Sequence, residues 1–127
     1  AGSARPTLDA RWMEADFGLA EGRTFAELER LAPDVAARIA AGEVAIDWPR
    51  GESAQALADR VEAALADVRA VAEASGSVVV VVAHAGPIRV ATALAEAQDP
   101  GTVPLLAPAG WRRLRWGQAP GVLPSDP

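Results

Sequence analysis

The chain has 127 residues, 17 acidic against 12 basic side chains for a net charge of −5, and neither cysteine nor tyrosine. That length holds one domain with a real core, and the lack of cysteine rules out disulfides, thiolate nucleophiles and Cys-ligated metal. A single histidine with no His/Cys cluster argues against a zinc or iron site, and the acidic balance argues against a generic nucleic-acid surface.

Every basic residue is arginine. Arginine forks phosphates and carboxylates bidentately, although a GC-rich coding bias explains the same composition. No stretch approaches the length of a transmembrane helix and no signal peptide is evident, so a soluble, cytoplasmic protein without membrane contact is expected.

Taken in chain order, residues 7–12 alternate with Leu8, Ala10 and Trp12 on one side, which predicts a short strand. Residues 13–22 form a loop rich in glycine and carboxylates. Thr24 and Glu27 have the spacing of a capping box, so a helix is expected from there towards Ala41, broken at Pro33 and ended by Gly42. Residues 47–52 read as a second loop. Ser53 is a plausible N-cap for a long helix to about Ala74, with Leu57, Val61, Leu65, Val68 and Val71 as its core stripe.

Five valines follow at 78–82, then Ala83, His84, Ala85, Gly86 and Pro87. A β-branched run without polar alternation suits a strand buried on both faces of a parallel sheet. Ala85 and Gly86 permit a tight turn, and Pro87 suits the first position of a helix running to about Ala97, with Ile88, Ala91 and Leu94/Ala95 facing inward. His84, the only histidine, is therefore expected at the carboxyl end of a central strand, beside a helix N-terminus. Ligands bind there in open α/β sheets, and free amides there attract anions. Residues 111–116 read as an arginine-rich edge strand and 117–127 as a loose Pro/Gly tail. A doubly buried strand needs a neighbour on each side, and the only other candidates are two short, half-polar ones, so the sheet looks incomplete.

Three loops stand out together. Trp12-Met13-Glu14-Ala15-Asp16-Phe17-Gly18-Leu19-Ala20-Glu21-Gly22 resembles the acid loop of the histidine phosphatase superfamily, the phosphoglycerate-mutase-like fold. Pro49-Arg50-Gly51-Glu52-Ser53 resembles that family's turn before a long helix, and Val82-Ala83-His84-Ala85-Gly86-Pro87-Ile88-Arg89 its second-histidine motif. The resemblance spans residues 8 to 116.

It implies a three-layer α/β/α fold with a mostly parallel sheet, incomplete in this chain. Residues 1–127 would be the C-terminal portion of a single domain. Glu14 would be the general acid that protonates the leaving oxygen of a phosphoester and later activates water. His84 would bind the phosphoryl oxygens, and the Ala85 amide would add a donor. Glu52 and Ser53 are read as capping residues ahead of substrate contact, and Glu21 as a hydrogen-bond partner within its loop.

The family's Arg-His-Gly motif, which carries the nucleophilic histidine, does not occur in the sequence. His84 cannot serve as both nucleophile and phosphate ligand. The resemblance therefore implies an N-terminal segment of the same domain, or a companion chain, that supplies the nucleophile and the missing strand; this chain alone would be inactive. No metal or other cofactor is implied. The expected partner is a small phosphorylated metabolite, in an α-ribazole-phosphatase-like hydrolase more than a mutase, because the stretch from Glu14 to His84 is compact. A homodimer is possible. The alternative is a non-catalytic phosphate-ligand-binding or protein-interaction module derived from the same fold. A nucleotide-binding domain has little support, because no glycine-rich phosphate loop is present.

Overall fold

The computed structural model describes residues 5–115, and the expected tail at 117–127 and Trp116 lie outside them. Among the described residues the elements are α1 (Phe25–Leu31), α2 (Pro33–Ala40), α3 (Ala54–Ser75) and α4 (Ala85–Glu96), with 3-10 turns at Ala10–Trp12, Gly18–Ala20 and Pro100–Thr102. No strand is formed there.

The helices follow local chemistry. The Thr24 hydroxyl accepts the Glu27 amide at 3.2 Å, which is one half of the expected capping box; the Glu27 carboxylate faces Arg23 instead, at 3.8 Å. Pro33 breaks the helical run as expected, because it opens α2 where no amide is needed. The Ser53 hydroxyl accepts the Ala56 amide at 3.1 Å and starts α3, which ends at Gly76 in the left-handed conformation. Helix α4 begins two residues earlier than expected, with His84 at its N-cap and no intervening turn. Pro87 is then its third residue, still inside the first turn, where its missing N–H costs nothing.

Helices α1 and α2 pack on each other, as do α3 and α4, and the Ala10–Trp12 turn lies on α3. The core centres on Val61, Leu65 and Ala91, with Trp12, Leu57, Val90 and Leu114 packed around it. The expected stripe of α3 holds through Val68, half-buried like Leu57, and fails at Val71, which is 57% exposed. On α4 the inward face is Pro87, Ala91, Thr92 and Ala93, while Leu94 is exposed. Thr92 is tolerated inside because its hydroxyl donates to the Ile88 carbonyl at 2.8 Å.

The expected three-layer α/β/α fold with a parallel sheet is not what the structure has. A strand exists only through hydrogen bonds to a neighbour, and the backbone of residues 78–83 makes none within the described chain. Both proposed neighbours fail for visible reasons. At 7–12 the Asp9 carboxylate accepts the Arg11 amide and grips the Arg11 guanidinium at 2.7 to 3.2 Å, coiling the chain into a 3-10 turn. Residues 111–115 line the same cavity of about 820 Å3 as Val79 and Val81 and form no ladder. Burial alternates with the period of extended chain, but Val78, Val80 and Val82 are 80, 81 and 90% exposed, so the segment is not covered on both faces.

These packing differences have a direct test. Leu65→Ala should lower the unfolding free energy by about 3 kcal/mol, the usual cost of emptying a buried leucine site. Val71→Ala, on the same predicted stripe, should stay within about 0.5 kcal/mol. Urea denaturation of both variants checks the pair.

Candidate active site at the N-terminus of the fourth helix

The loop at 13–22 and the turn at 48–53 fold against each other as one unit. The Glu52 amide donates to the Asp16 carbonyl at 2.9 Å, and the Leu19 amide to the Pro49 carbonyl at 2.8 Å. Phe17 meets Trp48 edge to face, with ring centroids 4.9 Å apart. Gly18 and Gly51 sit where the two backbones touch, and a Cβ on either would overlap main-chain atoms of the other segment. Glu21 accepts the Phe17 amide at 3.0 Å, which makes it a structural partner within its loop.

This unit delivers Glu14 to α4. One carboxylate oxygen of Glu14 accepts the Ala15 amide at 2.9 Å and the other accepts the Gly86 amide at 3.3 Å. Gly86 is the second residue of α4, so the carboxylate rests on one of the free amides at the positive end of a helix. The close approach requires glycine, because a Cβ at residue 86 would collide with the Glu14 carboxylate. His84 is exposed at the N-cap, its side chain makes no capping bond, and the Ala85 amide has no acceptor among the described residues. Glu14, His84 and Ala85, singled out separately in the sequence, thus meet at one helix end.

One residue central to this geometry escapes sequence reasoning. Arg60, on α3, donates from Nε to Glu52 Oε1 at 2.6 Å and from Nη2 to Glu52 Oε2 at 2.9 Å. Nη1 donates to the carbonyls of Arg11 and Met13, both at 2.7 Å, and Nη2 to the carbonyl of Glu14 at 3.2 Å. The only local hint was an arginine next to the core position Val61 and eight residues after an acid; its backbone partners lie more than forty residues away. Glu52 is therefore more than a cap. Its hydrogen bonds to Arg60 hold its carboxyl below the usual glutamate range, with the Asp16 amide helping and partial burial opposing. The same pairing raises Arg60, and the charge of Glu14 adds to it.

Among the described residues no cluster of three acidic or histidine side chains could hold a metal ion, and no helix is long and apolar enough to cross a membrane. The family model of the histidine phosphatase superfamily (branch 1) matches residues 1–123. The chain belongs to the histidine phosphatase superfamily. No curated protein and no solved structure matches it. Membership supports a phosphatase-like or phosphoglycerate-mutase-like function in general terms.

Two outcomes are expected here. Gly86→Ala should leave stability unchanged or raise it by up to about 1 kcal/mol, since alanine is the better helix former. It should also dislodge Glu14, seen as loss of the Glu14-dependent amide shift at residue 86 by NMR. The second concerns pH. Because the native value of Glu52 lies below its ordinary 4.5, the pairing contributes stability above 4.5 that is lost as pH falls through the lowered native value. Glu52→Gln should flatten that acid limb of the urea-midpoint profile.

Proposed function

We propose that this chain serves a phosphomonoesterase working through a phosphohistidine intermediate, with Glu14 as general acid and His84 as phosphate ligand. The observation that carries the reading is the Glu14 carboxylate resting on the Gly86 amide at the helix end that His84 opens. In this reading the nucleophilic histidine comes from another segment of the domain or from a companion chain, since the sequence has one histidine and no Arg-His-Gly motif.

The chemistry then has two balanced steps. A histidine nitrogen of that segment bonds to phosphorus while the ester P–O bond breaks, and Glu14 gives its proton to the departing oxygen. Water next attacks phosphorus, Glu14 takes the water's proton, and the P–N bond breaks to release phosphate and free histidine. His84 and the Ala85 amide donate to the equatorial phosphoryl oxygens, where charge is spread in the transition state. A phosphate beside Glu14 favours the protonated carboxyl, which is the form that the first step needs. The substrate is a small phosphorylated metabolite met in the cytoplasm, and the compact stretch between Glu14 and His84 favours an α-ribazole-phosphatase-like hydrolase over a mutase.

The test is turnover by the complete gene product on two esters of different leaving groups. Glu14→Gln should slow an alkyl phosphate by about 10²- to 10⁴-fold, the usual worth of general acid catalysis. It should slow p-nitrophenyl phosphate much less, because nitrophenolate leaves without a proton. Equal losses on both esters would remove Glu14 from the acid role. Phosphate-ester binding without turnover, in a protein that includes an Arg-His-Gly segment, would instead favour a non-catalytic binding module.

A further inference from the structure

We propose that Arg60 is the positioning residue that aims Glu14 at the helix end, and that its five-donor fork is the property required. This rests on the reading of Glu14 as the general acid, and the geometry behind it is independent of that reading. A guanidinium has five N–H donors in a rigid plane. Arg60 places one from Nε on Glu52 Oε1, two from Nη1 on the carbonyls of Arg11 and Met13, and two from Nη2 on Glu52 Oε2 and the carbonyl of Glu14. All five are spent.

Three of these acceptors are main-chain oxygens within four residues, all turned towards one point. Such a convergence of carbonyl dipoles is repulsive in itself, and the cationic fork offsets it while giving each oxygen a donor. The Asp9 clamp and the 3-10 turn coil the chain up to Met13, and the guanidinium fixes how the segment from Arg11 to Glu14 sits on α3. Its last acceptor is the carbonyl of Glu14 itself, so the fork sets where that residue's side chain starts. The other end of the linkage is rigid, because Arg60 precedes Val61, which is fully buried in the core. Glu52 completes the fixture from below: its carboxylate orients the guanidinium and also accepts the Asp16 amide at 3.3 Å. Lysine, with three donors around a single point charge, can keep the charge but cannot fill five acceptor positions.

The test reads the Gly86 amide, which touches the Glu14 carboxylate, in a pH titration followed by NMR. In the parent protein the Gly86 shift should follow Glu14 ionisation, and Glu14→Gln should abolish that step. Arg60→Met and Arg60→Lys should each shrink the step to less than half, with helical circular dichroism retained. A full-sized step in either folded variant overturns the proposal. Should Arg60→Met fail to fold, Arg60→Lys decides alone; should both fail, Glu52→Gln is expected to reduce the step while its melting stays cooperative, and an unchanged step there overturns the proposal equally.

Turnover separates this from the reading beneath it. Arg60→Lys should reproduce the leaving-group signature of Glu14→Gln, at least tenfold loss on an alkyl phosphate and a smaller loss on p-nitrophenyl phosphate. A parent supplied with its Arg-His-Gly-bearing segment that stays inactive but keeps the Gly86 titration would defeat the phosphatase reading and leave the positioning role standing. An active parent whose Arg60→Lys variant keeps both the titration step and its rate on the alkyl ester would defeat the positioning role alone.

Discussion

The guanidinium of Arg60 is the constraint on which the candidate site depends. It ties α3, the acid loop and the Gly51-Glu52-Ser53 turn together through one side chain. Its worth is geometric before it is energetic. An exposed ion pair contributes at most about 1 kcal/mol, and burying a pair sets desolvation against attraction. With 15% of the Glu52 side chain and 23% of the Arg60 side chain exposed, the pair lies between those limits. What it supplies without ambiguity is direction, because a planar fork with every donor used has one orientation. A residue carried on a loop thereby acquires the positional definition of a helix.

The second determinant is the N-terminus of α4. Its free amides suit an anion, and the group that rests there is the chain's own carboxylate of Glu14 on the Gly86 amide. A second anion arriving at the same end, beside the open Ala85 amide, meets both the helix field and the charge of Glu14. A proton on the carboxyl relieves the repulsion. In the proposed reaction the same few atoms would join phosphate binding to the proton that Glu14 donates.

How much of this was legible in the sequence follows from how far each bond reaches. The N-caps Thr24 and Ser53 and the break at Pro33 act within four residues, and all three stand where the pattern put them. Pro87 alone predicts the start of α4 two residues late, because proline is acceptable anywhere in a first turn and not only at its first position. Glu14 and His84 were visible as motif residues, but their meeting at Gly86 bridges 72 positions. Arg60 was invisible for the same reason, since no local pattern announces three carbonyls from a loop more than forty residues earlier. The expected strand at 7–12 failed to a competitor of shorter range, the Asp9 clamp on Arg11.

The valine run shows the remaining limit, and also why the site does not depend on it. A helix closes its hydrogen bonds within itself, so α3 stands on its own sequence. A strand takes its bonds from a partner, and a run of valines states a preference for one without providing it. Residues 78–83 accordingly keep the alternation of extended chain while their backbone groups find no partner in the described residues. Glu14 is held from two other directions. Its carbonyl is fixed by Arg60 of α3 and its carboxylate by Gly86 of α4. These two helices share the core of Val61, Leu65 and Ala91, so the distance between the two anchors is set by apolar packing. The acid is thus placed by a two-helix frame, and the valine segment enters the site only through the residue that follows it, His84.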